Sequence, residues 1–141
     1  MDQERTPLVD AIVKFGSGKP AYFRIPAHRF ERGMNSRFRD AAGEGVFRCD
    51  LSEAEGLDDL HQPMGVIREA QELAADLWGA QESFFLVNGT TCGNEAMVLS
   101  VAGPGERVLV PRNAHKSILM GLIMSGAEPC YVCLLYTSDA A

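Results

Sequence analysis

The sequence predicts an α/β fold: a mostly parallel sheet with flanking helices. Three features carry that reading. From Pro63 onward, short apolar runs alternate with amphipathic segments; those runs lack the period-two pattern of a half-exposed strand; and the links between them are short. Strands covered on both faces read as continuous apolar runs, and their alternation with helices is the signature of parallel pairing.

Each element follows from local residues. Thr6-Pro7 ahead of "LVDAIVKFG" predicts a short helix, with proline in its first turn and Gly16 at its end. "GSGKPAYFRIPAH" reads as loop plus a short extended piece, and residues 31–62 show little periodicity, so they predict an irregular segment. In "PMGVIREAQELAADLWG", Val66, Ile67, Ala70, Leu73, Ala74, Leu77 and Trp78 recur at three and four spacing, an amphipathic helix that Gly79 stops. "SFFLVN" (83–88) predicts a buried strand. "GNEAMVLSVAG" (93–103) predicts a helix, and Gly103-Pro104-Gly105 ends it. "RVLVP" (107–111) predicts a strand. A helix is expected over 113–127, with Ile118, Leu119, Leu122 and Ile123 inward, and a strand begins at 129–132. The organisation expected is 1–62 as an N-terminal helix and irregular segment, 63–132 as the start of the α/β part, and 133–141 as a tail.

Composition bounds the function. The chain has 141 residues, 46% hydrophobic and 23% charged, enough to bury a core. A net charge of -6 argues against nucleic acid as a partner, which would need a basic face. No run of about 18 apolar residues offers a membrane span, and the start "MDQERTPLVDAIV" lacks the pattern of a signal peptide. The expectation is a cytoplasmic protein without membrane partners.

Cys130 and Cys133 form a C-x-x-C, but no second ligand pair stands at similar spacing, so no metal is expected. "CLLYTSDAA", Cys133–Ala141, resembles the translated end of a transposase adapter used in preparing DNA libraries. On that reading the native sequence stops at Val132 and the C-x-x-C is not a native motif.

Chemistry is expected where predicted strands end and helices begin, since parallel sheets bind ligands beyond the carboxyl ends of their strands. Asn88-Gly89-Thr90-Thr91 occupies such a place. A helix's first turn has free N–H groups and partial positive charge, glycine permits close approach, and the threonine hydroxyls can donate to a phosphate. The same residues also serve as helix caps, which is their commoner use on local sequence alone. "PRNAHKS" (111–117) follows the next strand and brings His115 and Lys116 to the same edge. His115 can titrate or stack on a planar ligand, or simply pack or cap. "RIPAHRF" sets His28 and Arg29 after a proline, where they form a turn or a ligand contact.

Taken together, "RIPAHRFERGM", "LDDLHQPMGVIREAQELAADLWGA", "FFLVNGTTCGNEAM", "GPGERVLVPRNAHKSI" and "SGAEPCYV" resemble the major domain of the ornithine/lysine/arginine decarboxylases. These are pyridoxal-phosphate enzymes of the aspartate-aminotransferase fold. The resemblance implies the first part of that fold-type-I domain, with an incomplete sheet. It implies a basic amino acid as substrate, pyridoxal 5'-phosphate as cofactor, and a homodimer or higher homo-oligomer of the full-length protein.

Residue by residue, it implies that Gly89, Thr90, Thr91 and Cys92 hold the cofactor phosphate. Cys92 stands where the family often has threonine, which removes a hydroxyl donor but not the backbone N–H. His115 is implied to lie over the pyridine ring. His28 and Arg29 correspond to a substrate-proximal motif altered at two of four positions. The Schiff-base lysine and the ring-nitrogen aspartate belong to later segments that this chain does not match, so the fragment itself is expected to be inactive. Another fold-type-I activity (aminotransferase or carbon–sulfur lyase) and a cofactor-free interaction domain are the alternatives.

Overall fold

The computed structural model of the chain describes residues 1–18, 23, 25–30, 32–43 and 45–133. The expected tail lies outside the described residues from position 134 on. The elements are α1 (Pro7–Ser17), α2 (Ser36–Ala42), α3 (Val46–Cys49), α4 (Val66–Trp78), α5 (Gly89–Val101), β1 (Arg107–Pro111), α6 (Lys116–Ser125) and β2 (Glu128–Val132). They form two compact units, Met1–Phe85 and Leu86–Ala141. No helix among the described residues is long and apolar enough to cross a membrane.

In the first unit α1 packs on α3 and α4. Phe30, Phe47, Leu57, Ile67, Leu73 and Ala75 are buried. Gly16 permits the α1–α3 approach, because a Cβ there would stand 2.7 Å from the Arg48 carbonyl oxygen. Residues 31–62, expected to be irregular, contain the short helices α2 and α3. Asn35 starts α2 by accepting the Arg37 N–H at 3.0 Å, a local cap with no apolar period to reveal it.

α4 shows how a helix start is sealed from a distance. Its N-cap residue Gly65 has no side chain to offer. Asp58, seven positions earlier and itself at a φ of 70°, supplies the acceptor instead. Its Oδ2 takes the N–H of Gly65 at 2.7 Å and of Ile67 at 3.0 Å, while Oδ1 takes the N–H of Met64 at 3.0 Å. Partial withdrawal from water taken alone raises the Asp58 pKa. The N–H groups of Met64, Asp59, Gly65 and Ile67 outweigh it and lower the value from the usual 3.8 to about 2. At the other end Gly79 adopts a φ of 64° and ends the helix as its sequence suggested. Ile67, Leu73 and Ala75 face inward, whereas Leu77 and Trp78 are exposed.

The second unit is a β-α-β arrangement with α5 packed against α6. β1 and β2 run parallel with Leu109 opposite Cys130, which matches the expected α/β class. Val110, 1% exposed, lies in a cluster with Val98, Ala102, Leu122 and Ala127. Leu109, its neighbour, is exposed.

Residues 83–88 correct the expectation of a buried strand. They form no ladder, and Phe84 and Val87 are 74% and 80% exposed. A strand needs a neighbour to accept its hydrogen bonds; β1 and β2 pair with each other, and no other described strand adjoins this run. α5 starts at Gly89 rather than Gly93, because first-turn N–H groups need no intrahelical partner and so tolerate Gly-Thr-Thr. α6 is shorter than expected and turned: Ser117, Gly121, Leu122 and Ser125 are buried, whereas Leu119 and Ile123 are exposed. Small residues decide that face, since they let α5 come close. A Cβ on Gly121 would stand 2.9 Å from Val98 Cβ and 3.4 Å from Glu95 Cα.

Two expectations follow. Asp58→Ala should destabilise the first unit by about 1–2 kcal/mol at neutral pH, the worth of a lost cap, read by urea denaturation followed through amide exchange across α4. Because the folded pKa is depressed, the wild-type contribution is complete above about 4 and disappears as pH falls toward 2; a variant with an unchanged acid limb would count against this role. Gly121→Val should cost the second unit about 1–3 kcal/mol through overpacking, seen as faster amide exchange across α5 and α6.

Candidate functional site

The candidate site is built on the amino ends of α5 and α6. Asn94 Nδ2 donates to Ser117 Oγ at 2.8 Å, and one turn further along both helices Val98 meets Gly121. Contacts that advance by four residues on both helices mean that α5 and α6 run parallel with their amino termini at one end. Both positive dipole ends therefore lie side by side, after the carboxyl end of β1 in the case of α6.

At the start of α5, Gly89 adopts a φ of 72°, a conformation that disfavours any side chain, and the space where a Cβ would stand is open to 4 Å. Asn88 makes no side-chain cap. Thr90 and Thr91 are exposed and their hydroxyls bond no described residue; Cys92 is half-buried. The capping role that local sequence favours for this run is therefore not the one adopted. Two exposed threonines thus stand in a helix first turn that the Asn88 side chain does not cap, residue types suited to a tetrahedral anion. Thr90 and Asn94 stand one turn apart, so Thr90 lies on the flank of α5 that approaches α6.

His115 is the N-cap of α6. Its Nδ1 accepts the Ser117 N–H at 3.2 Å and lies 2.9 Å from Ser117 Oγ. The ring is exposed, whereas Ser117 is fully buried. Lys116 is exposed in the helix's first turn. Asn94 and Ser117 were not singled out from the sequence. Ser117 directly follows the His-Lys pair, but its contact with Asn94 spans 23 positions and no local pattern announces it.

His28 and Arg29 lie in the first unit. His28 is 8% exposed; its Nδ1 accepts the Phe30 N–H at 3.1 Å, its Nε2 stands 3.3 Å from Asp50 Oδ2, and its ring meets Phe47. Arg29 is exposed, at a φ of 52°. These contacts tie the turn to α3. Asp58, within the "LDDLH" run, had no role assigned from the sequence; the structure makes it the α4 cap. Of the C-x-x-C cysteines, Cys130 accepts from Arg107 at 2.6 Å and Cys133 is an exposed thiol.

The sequence profile of the Orn/Lys/Arg decarboxylase major domain matches residues 6–138. An arginine decarboxylase of Bacillus subtilis (strain 168) is 44% identical over 132 residues, which is 94% of this chain and 27% of that protein. Lysine decarboxylase LdcA of Pseudomonas aeruginosa is 42% identical over 100 residues, 70% of this chain and 13% of that protein. Among solved structures, the constitutive lysine decarboxylase of E. coli superposes with a TM-score of 0.76 at 27% identity, covering 92% of this chain and 19% of that one. The chain thus spans about a quarter of the B. subtilis relative. A match that runs through both helix amino ends and nearly the whole chain places it by family: this chain belongs to the Orn/Lys/Arg decarboxylases and corresponds to part of their major domain.

Proposed function

We propose that this chain carries the cofactor-phosphate and ring-stacking portion of a cytoplasmic, pyridoxal-phosphate-dependent decarboxylase of basic amino acids. The observation that carries the reading is the open amino end of α5. Three helix starts can be compared. The start of α4 is occupied by the Asp58 carboxylate and that of α6 by the His115 ring, whereas the Asn88 side chain does not cap α5, whose first turn carries the exposed Thr90 and Thr91. A phosphate supplies the acceptors that Asn88 does not.

In this reading Gly89, Thr90, Thr91 and the Cys92 backbone N–H hold the phosphate. The neighbouring α6 dipole adds to the attraction, since helix amino ends favour anions by about 0.3–1 kcal/mol each when exposed. His115 offers a flat imidazole face beside that anchor, and stacking on a heteroaromatic ring contributes about 0.5–1.5 kcal/mol. Pyridoxal phosphate, when bound, supplies the electron withdrawal that lets an amino acid lose its carboxylate as carbon dioxide. The residues of this chain contribute binding and orientation. The substrate is arginine, lysine or ornithine, and the full-length protein acts as a homodimer or higher homo-oligomer.

Spectroscopic titration of the chain with pyridoxal phosphate tests the anchor. The double variant Thr90→Ala/Thr91→Ala should bind about a hundredfold more weakly, the loss of two hydrogen bonds to a charged group at about 1.5 kcal/mol each; equal binding removes the assignment. The family resemblance sets the Schiff-base lysine, which would carry the cofactor covalently, in a later segment that the 141-residue chain does not match. The chain is therefore expected to release no carbon dioxide from arginine, lysine or ornithine in a radiometric assay, and measurable release would overturn that part of the reading.

A further inference from the structure

The hydrogen bonds around His115 have a direction. Asn94 Nδ2 is a donor and lies 2.8 Å from Ser117 Oγ, so the hydroxyl oxygen is the acceptor there. Its proton is then available to the other close neighbour, His115 Nδ1, at 2.9 Å. The Ser117 backbone N–H, 3.2 Å away, also points at Nδ1. Two donors converge on one ring nitrogen, which assigns the ring proton to Nε2 and pins the imidazole about its χ angles. Ser117 is fully buried between the two helices, where an unsatisfied hydroxyl would be costly and an alternative partner from water is excluded.

We infer that Asn94 and Ser117 are positioning residues that hold His115 in one tautomer and one ring orientation. A capping helix needs only the backbone N–H of Ser117 and an acceptor at position 115. The second donor and the buried amide behind it exceed that need. A ring meant to present a constant face to a planar ligand does require it, because an N-cap histidine held by one bond rotates and exchanges tautomers. Asn94 therefore couples the first turns of α5 and α6: the helix that offers Thr90 and Thr91 also orients the ring on its neighbour. This inference rests on the cofactor reading for its purpose, but the geometry it describes is independent of any ligand.

Side-chain nitrogen-15 NMR of the full chain, above the ordinary imidazole range of pH, tests it; His28→Gln and His61→Gln variants identify the His115 signals. The wild type should show distinct resonances for an acceptor Nδ1 and a protonated Nε2. Asn94→Asp reverses the network, since a carboxylate draws the Ser117 hydroxyl proton to itself, and should move both resonances toward an averaged tautomer mixture. Ser117→Ala should do the same, and Ser117→Thr, which keeps the hydroxyl, should retain the wild-type pattern. Amide spectra show that each variant is folded, so unchanged His115 resonances in folded Asn94→Asp overturn the inference. Asn94→Asp and Ser117→Ala should also weaken pyridoxal phosphate binding by about fivefold, the worth of one hydrogen bond. Undiminished binding with averaged resonances overturns the positioning role toward the cofactor. Failure of the wild type itself to bind while the resonances respond removes the cofactor reading and leaves the orienting network standing.

Discussion

The start of every helix leaves amide N–H groups that its own turns cannot satisfy, and the ways in which this chain meets them organise everything else. In α4 the demand is met by a carboxylate from an earlier turn, and the same bonds fasten the 58–65 segment to the helix. In α6 an imidazole meets it, which places a ring at the edge of the second unit. In α5 no described residue supplies a side-chain acceptor. One physical rule thus yields a structural clasp at α4, a ring-capped start at α6 and a start without a side-chain cap at α5, distinguished by what side chain reaches the first turn.

The starts of α5 and α6 are kept in register by small residues. Gly121 allows α6 to approach α5 so closely that Val98 and Glu95 fill the space of a missing Cβ. Ser117, one turn earlier, is small enough to be buried in the same seam and polar enough to bond Asn94. Larger residues at either place would push the amino ends apart. Here packing has a consequence beyond stability, because a dipole pair attracts an anion only when both ends lie within a few ångströms of it.

The second unit also carries apolar surface. Leu109 and Tyr131 of the strands, and Leu86 and Val87 before α5, are exposed in the described structure. This pattern explains why the 83–88 run has the composition of a buried strand without the conformation of one. Its aromatic and β-branched residues suit a sheet interior, but a ladder requires a neighbouring backbone, and the two described strands are already paired with each other.

Much of this was legible in the residues themselves. The apolar period of 66–78, the Gly79 stop, the β-α-β order of 107–132 and the position of Thr90, Thr91 and His115 at helix starts all follow from spacing and from turn chemistry. Those are local properties, and local sequence determines them because propensity, capping and periodicity act within a few residues. Which face of α6 is buried, whether Asn88 caps α5, which residue seals α4 and which pair orients His115 were decided only by tertiary structure. Gly121 outcompetes the larger Leu119 and Ile123 for the buried seam because close backbone approach matters more there than side-chain hydrophobicity. Asp58 and Asn94 act across 7 and 23 positions. Such partners become neighbours only once the chain has folded, since a hydrogen bond depends on distance in space and not on separation along the sequence.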